Sequence, residues 1–160
     1  LTQTDGSQGG AMALGGLEQG VTTEEMAAAY AAFANEGVYT EPRTFVRVED
    51  SDGKVVLENS AKSHVAMKES TAYIMNGLLE QVIQSGTGSG AYFSGMTIAG
   101  KTGSTDDWRD RYFVGYSPYY SCAVWTGRYF WTRRKTPTAS GGQSLTQKNG
   151  CAFMAWTFSG

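Results

Sequence analysis

The stretch Ala99-Gly100-Lys101-Thr102-Gly103-Ser104-Thr105 sets a single lysine among small and hydroxyl-bearing residues. Residues 96–105 are predicted as a strand, where a long cation has little structural use. Lys101 can present a point charge in a cleft, attracting a carboxylate or biasing the proton of a neighbouring serine. Gly103 has no side chain, so an extended peptide can approach the backbone and add to the strand edge. The backbone N–H of Ser104 then faces a position where an oxyanion could develop. Metal chemistry is not implied, and Lys101 and Ser104 are the catalytic candidates. Lys101, Thr102, Gly103, Ser104 and Thr105 together are the substrate-binding candidates. Strict pleating turns Thr102 away from Lys101, so a shared role needs a local twist or bulge. Alone, the same tripeptide fits a plain surface lysine on an edge strand, and the flanks decide between the two.

Downstream, Asp106-Asp107-Trp108-Arg109-Asp110 reads as an acidic loop. Strands are predicted over 111–116 and 121–126, with Ser117-Pro118 turning the chain between them. Tyr112, Val114 and Tyr116 share one face and Phe113 takes the other. Val124 likewise opposes Ala123 and Trp125. Apolar residues on both faces predict a sheet covered on both sides by helices. Connections this short favour antiparallel order.

Upstream, Thr22-Thr23-Glu24-Glu25 predicts a capping box with Thr22 as N-cap. Met26, Ala29, Tyr30 and Phe33 then follow helical spacing. Asn35-Glu36-Gly37 ends that helix, with Gly37 suited to the left-handed C′ position, and Pro42 blocks its continuation. Residues 44–48 and 54–57 predict a hairpin turning at Asp52-Gly53. A polar link precedes a second helix over 70–84, with Met75, Leu78, Leu79 and Val82 as its apolar stripe. Gly86-Thr87-Gly88-Ser89-Gly90 stops it. The class is α+β.

The totals are those of an ordinary globular chain, with 160 residues, 41% hydrophobic, 18% charged and a net charge of −2. They give no electrostatic case for nucleic acid or an anionic membrane. No apolar run approaches the roughly 20 residues that span a bilayer, and Leu1 does not open a signal peptide. Cys122 and Cys151 form neither a metal spacing nor a disulfide framework. The totals conceal a break, however. Residues 1–127 hold eight basic against fifteen acidic residues, a net of −7, whereas residues 128–160 hold five basic residues and none acidic. That basic, aromatic tail has a single leucine, Leu145, no Ile or Val, and no helical or strand period. It is predicted to be disordered, or the product of a shifted reading frame.

Taken in order, these segments resemble bifunctional (class A) penicillin-binding proteins over roughly residues 13–127. Lys101-Thr102-Gly103 matches their K-T-G strand. The run Tyr112-Phe113-Val114-Gly115-Tyr116-Ser117-Pro118 and the ending Val124-Trp125-Thr126-Gly127 are similar to the family's segments downstream of that strand. Ala13-Leu14-Gly15-Gly16-Leu17-Glu18-Gln19-Gly20-Val21-Thr22, Phe33-Ala34-Asn35-Glu36-Gly37-Val38-Tyr39 and Gly86-Thr87-Gly88 resemble the family's upstream segments. Beyond Gly127 the chain departs, since Arg128-Tyr129-Phe130 stands where the family runs toward a final amphipathic helix.

The resemblance implies a partial serine β-lactamase/transpeptidase-like fold, antiparallel strands flanked by helices, over residues 1–127. It also implies a D,D-transpeptidase that cross-links peptidoglycan stem peptides outside the cytoplasmic membrane and is a target of β-lactam antibiotics. No metal or organic cofactor goes with it. Lys101 would serve proton relay and carboxylate recognition, and Ser104 oxyanion and carboxylate binding. The family's nucleophilic Ser-x-x-Lys and its Ser-x-Asn both precede the matched region. The Ser-x-x-Lys of this chain, Ser51-Asp52-Gly53-Lys54, lies on a hairpin turn and is rejected; no Ser-x-Asn occurs. The chain is therefore expected to be inactive alone, its partners being the missing N-terminal half of the domain and a glycosyltransferase domain. Rival readings are a β-lactamase or D,D-carboxypeptidase of the same fold, and a binding or sensor fragment that does not react. His64 in its polar link, the paired carboxylates Glu24-Glu25 and Asp106-Asp107, and the Gly86–Gly90 loop carry no catalytic pattern of their own.

Overall fold

In a computed structural model the structure describes residues 9–17, 20–105 and 110–127, and the backbone of one further strand, Cys151–Phe158. A short helix α1 (Gly9–Ala13) precedes α2 (Thr23–Ala34). The capping box at the start of α2 forms as its residues predict. Glu25 N donates to Thr22 Oγ1 at 3.1 Å, and Thr22 N donates to Glu25 Oε2 at 2.8 Å. The same backbone donor, with the Thr22 hydroxyl, holds the Glu25 carboxyl below the usual carboxylate range. At the other end Gly37 N donates to Ala32 O at 2.8 Å, the longer bond of a Schellman motif. The left-handed C′ residue is thus Glu36 (φ 53°), one position before the glycine expected there. Gly37 (φ 88°) is still required, because a Cβ would lie 2.4 Å from Met67 O.

That close approach joins two short strands, β1 (Val38–Thr40) and β4 (Ser63–Val65), in an antiparallel pair. Between them runs the predicted hairpin, as β2 (Arg47–Glu49) and β3 (Val55–Glu58), bulged at Val48/Glu49. Asp50 Oδ1 accepts from Asp52 N and Lys54 N, and Gly53 adopts φ 79°. The polar link containing His64 is therefore partly strand, and His64 lies beside the Tyr39 ring.

Helix α3 (Glu69–Gln84) leads through a 3-10 turn (Ser89–Ala91) to the main sheet. Its strands are β5 (Ala99–Ser104), β6 (Asp110–Tyr116), β7 (Tyr120–Gly127) and β8 (Cys151–Phe158), all antiparallel in the order β5-β6-β7-β8. Helices α2 and α3 lie on one face of it. Ala27 packs on Val114 and Ala123, while Leu79 packs on Ala99 and Tyr116, with Tyr30 touching both groups. Opposed residues of antiparallel strands share a face, and Ala99↔Tyr116 and Val114↔Ala123 are opposed pairs. The expectation of helices on both faces is met on this face only among the described residues.

Three polar bonds, one buried and two part-buried, fix the layers in register. Ser121 Oγ donates to Ala27 O at 2.8 Å. Asn76 Nδ2 donates to Phe33 O at 3.0 Å, and Tyr116 Oη donates to Asn76 Oδ1 at 2.5 Å. Asn76 thereby ties α3 to both α2 and β6.

Beyond Gly127 one strand is described. Cys151–Phe158 pairs along the whole of β7, from Gly127↔Cys151 to Tyr120↔Phe158. The run Cys-Ala-Phe-Met-Ala-Trp-Thr-Phe is apolar but for Thr157 instead of alternating, a pattern compatible with a strand that period-2 counting passes over. Residues 128–150, which make up most of the predicted tail, lie outside the described residues.

Candidate functional site on an edge strand

The strand β5 is an edge of its sheet, with β6 on one side and, among the described residues, no strand on the other. Its first half is built into the core. Ala99 and Gly100 are buried, and a Cβ at Gly100 would lie 2.6 Å from Val114 O, so packing alone demands that glycine. From Lys101 onward the strand opens to solvent. At Gly103 an added Cβ would meet only Tyr112 Cβ, at an ordinary 3.4 Å. Nothing inside the sheet requires that glycine; what its missing side chain leaves clear is the outside.

Lys101 opposes Val114 and so belongs by register to the face carrying α2 and α3. It is exposed there, and its Nζ donates to Thr102 O at 2.6 Å. The ammonium is thus held along its own strand and is available to a carboxylate at the edge.

Thr102 points elsewhere. The β5–β6 register runs unbroken from Ala99↔Tyr116 to Ser104↔Arg111, without the bulge that would bring Thr102 beside Lys101. Its Oγ1 lies 2.7 Å from Thr87 Oγ1. The Gly86-Thr87-Gly88 loop thus touches the Lys-Thr-Gly strand through a hydroxyl pair that no local sequence signal announces.

Ser104 is exposed near the end of the strand, opposite Arg111. Thr105 closes the hairpin beyond it. It donates its backbone N–H to Asp110 O at 3.1 Å, and its Oγ1 accepts from Asp110 N at 3.0 Å. Asp110 in turn accepts from Trp125 Nε1 at 3.0 Å, linking the mouth of the hairpin to β7. The expected acidic loop 106–109 lies outside the described residues, apart from this Asp110 anchor.

A hollow of about 350 Å³ between Glu80, Ile83 and Gln84 of α3 and residues 92–98 stops short of Lys101. The candidate site is therefore an open strand edge, not an enclosed pocket. It offers a cation, an unobstructed backbone and a backbone donor. Ser51 and Lys54 sit on the β2–β3 turn, remote in the fold from that edge and not on a helix. The free thiol of Cys122 is half-buried in β7, where burial pushes its pKa up and away from thiolate chemistry. No helix among the described residues is long and apolar enough to cross a membrane.

A family model described as the penicillin binding protein transpeptidase domain matches residues 3–145, running past Gly127 on the far side of the compositional break. Over 128 residues, 79% of this chain, it is 44% identical to penicillin-binding protein 1A of Clostridium acetobutylicum, of which it covers 16%. It is 43% identical over 144 residues to penicillin-binding protein 1A of Streptococcus oralis, covering 81% of this chain and 22% of that one. Among solved structures it resembles the D,D-transpeptidase domain of a peptidoglycan glycosyltransferase from Eggerthella lenta. The TM-score is 0.56 at 34% identity, covering 61% of this chain and 24% of the other. PonA1 from Mycobacterium tuberculosis gives 0.56 at 32% identity, covering 64% and 28%. The chain spans about a fifth or less of the curated relatives, and about a quarter of the solved chains.

Proposed function

Because the chain belongs to the class A penicillin-binding protein transpeptidase family, we propose that it forms one wall of a serine D,D-transpeptidase that cross-links peptidoglycan. The observation that carries this reading is the position of Lys101 and Gly103 on an exposed strand edge, where Gly103 answers no demand from the interior. An extended stem peptide would lie along β5 as an added strand, its carboxylate beside the Lys101 ammonium. The serine of the missing Ser-x-x-Lys would attack the D-Ala-D-Ala carbonyl. The Ser104 N–H would donate to the oxyanion, and D-Ala would leave. An amine from a neighbouring stem would then resolve the acyl-enzyme.

In this reading Lys101 favours proton movement toward the leaving group through the relay serine of the absent motif. Thr102 keeps hydrogen-bonding capacity beyond Thr87, so it reaches substrate only as part of that shared pair. Thr105 serves mainly to close the β5–β6 hairpin. The reaction uses no metal or organic cofactor. The place of action is the outer face of the cytoplasmic membrane, with stem peptides and β-lactams as ligands. The partners are the missing N-terminal half of the domain and a glycosyltransferase domain.

Fluorescent penicillin retained after denaturation tests the proposal. The chain alone should retain none, because it holds neither Ser-x-x-Lys on a helix nor Ser-x-Asn; intact mass should likewise find no penicilloyl adduct. With residues 13–127 grafted into the intact transpeptidase domain of a relative, label should be retained. A folded graft that retains none would leave a non-catalytic binding fragment. A stoichiometric adduct on the chain alone would overturn the account of the missing half.

A further inference from the structure

Asp110 stands where three strands of the main sheet meet. Its backbone N–H donates to Thr105 Oγ1 at 3.0 Å, and its carbonyl accepts from Thr105 N at 3.1 Å. Its Oδ1 accepts from Trp125 Nε1 at 3.0 Å, and its Oδ2 lies 3.4 Å from Thr105 Oγ1. One carboxylate thus ties the end of β5 and the start of β6 to β7.

Gly127 shows that the fold makes room for this anchor. It is the register partner of Asp110. A Cβ there would run into Trp125 Cζ2 and lie 2.8 Å from Asp110 Oδ1. Any larger residue would press the indole and the carboxylate apart. The ending Val124-Trp125-Thr126-Gly127 therefore has a use for both its tryptophan and its glycine. One donates to Asp110, and the other leaves space for the bond.

The anchor lies one residue beyond Ser104. Thr105 turns its N–H toward β6, where Asp110 O accepts it. Bonded and non-bonded pairs alternate along antiparallel strands. Ser104, opposite Arg111, therefore exchanges no backbone bond with β6 and turns its N–H to the outer side of β5. Its orientation depends on the bonded pairs at either side, Gly103↔Tyr112 and Thr105 with Asp110.

We propose that Asp110, fixed by Trp125, is a positioning residue for acyl transfer that sets the direction of the Ser104 N–H. The inference rests on the transpeptidase reading, which gives that N–H the oxyanion. Such a donor acts where the carbonyl oxygen takes up charge, in the transition state more than in the bound ground state. Loss of the anchor should lower the rate of acylation and spare the affinity of the complex that precedes it. Lys101 differs, because it also meets the substrate carboxylate and would change both.

Two preparations test this. In the graft of residues 13–127, Asp110→Ala and Trp125→Phe should slow acylation by penicillin about 10- to 100-fold, less than outright loss of an oxyanion donor. The dissociation constant of the preceding complex should stay within about twofold of the parent, as for an interaction made only in the transition state. Asp110→Asn keeps an oxygen for Trp125 and should recover most of the rate. Trp125→Phe keeps a ring in place and decides the matter if Asp110→Ala fails to fold. In the full 160-residue chain, NMR should find the Trp125 indole N–H shifted upfield in Asp110→Ala and near its parental place in Asp110→Asn. The Ser104 and Thr105 amides should move with it. Acylation at the parental rate in both Asp110→Ala and Trp125→Phe would overturn the proposal. So would equal losses of affinity and rate with a lowered thermal midpoint, the mark of a purely structural bond. A parent graft that is not acylated would count against the transpeptidase reading. The anchor is then judged on the full chain, where a Ser104 amide that moves in Asp110→Ala supports it and one that does not overturns it.

Discussion

Thr87 Oγ1 and Thr102 Oγ1 lie 2.7 Å apart, joining the loop after α3 to the middle of the Lys-Thr-Gly strand. The loop is in no position to give way. Gly86 N and Gly88 N both donate to Val82 O, at 3.1 and 3.0 Å. A Cβ at Gly86 would lie 2.9 Å from Val82 backbone atoms, and one at Gly88 would lie 2.8 Å from Ile83 Cδ1. Two glycines thus press the loop onto the end of α3, and the threonine between them reaches the strand. Because Thr102 is held on its own side, the pleat leaves Lys101 on the other.

Thr87→Val removes the hydroxyl but keeps the shape. The Thr102 hydroxyl is then left to solvent, so the stability loss should be modest, about 1 kcal/mol. The larger effect should be local, as faster hydrogen exchange at the amides of β5 with little change in β7. Thr87→Ser should restore protection. Equal exchange in the parent and in Thr87→Val would mean that the hydroxyl pair contributes nothing to holding the strand.

This contact marks the limit of what neighbouring residues disclose. The capping box at Thr22 and Glu25, the Asp52-Gly53 turn and strands β5 to β7 are legible because each is written in adjacent positions. Contacts made at a distance are not. Thr87 meets Thr102 across fifteen positions, and β1 meets β4 through three residue pairs, too few to leave a period. Spacing puts Leu78 in the core because α3 is apolar on two faces, and spacing alone cannot say which of them the sheet takes. The β8 strand lacks alternation; its nearly continuous apolar run is the signal it carries. Lys101 and Gly103 stand out because one long cation among small residues is conspicuous, but the openness of the edge beside Gly103 needs the fold.

Burial raises the Tyr116 pKa well above its ordinary value of 10.0, and the neighbouring Tyr30 and Glu80 act in the same direction. The unfolded chain therefore loses this proton at lower pH than the folded one. Stability from this group is complete below about pH 10 and falls as pH rises above it, because the folded state alone still holds the proton. Urea unfolding at pH 9, 10 and 11 should show a decline that is shallower in Tyr116→Phe. At neutral pH Asn76→Ala should cost more than Tyr116→Phe, about 1–3 kcal/mol, since it strands both Phe33 O and the Tyr116 hydroxyl. An unchanged pH slope in Tyr116→Phe would place the alkaline loss elsewhere.

The strand β8 makes a separate claim on exchange data. Its eight residues pair with the whole of β7, and α2 lies against both strands. Amides of Cys151–Phe158 should therefore be protected, though less than those of β6, which is paired on both sides. Exchange across 151–158 at the rate of an unstructured peptide would return that segment to the disorder its composition suggests.

Lys101 should be the residue on which acylation depends most once the rest of the domain is present. Its side chain is exposed, and its bond to Thr102 O is made along its own strand. It packs against none of the buried clusters around Ala27 and Leu79. Folding should therefore hardly register Lys101→Ala, and the thermal midpoint of the grafted domain should stay close to that of the parent. The rate of acylation should respond quite differently. An ammonium that pairs with the substrate carboxylate and biases the relay proton acts on charge developing in the transition state. Losing such a partner typically costs about 10²–10³ in rate. Lys101→Arg separates two parts of the role: it keeps the charge but replaces a compact ammonium with a planar fork. Carboxylate recognition should survive in part, while proton movement should not. Stopped-flow acylation by a fluorescent penicillin, read beside the thermal midpoint, distinguishes these outcomes. Slow acylation at an unchanged midpoint is expected for Lys101→Ala, with Lys101→Arg intermediate. Acylation by Lys101→Ala at the parental rate would reduce Lys101 to an ordinary surface cation and remove the chemistry assigned to the edge of β5.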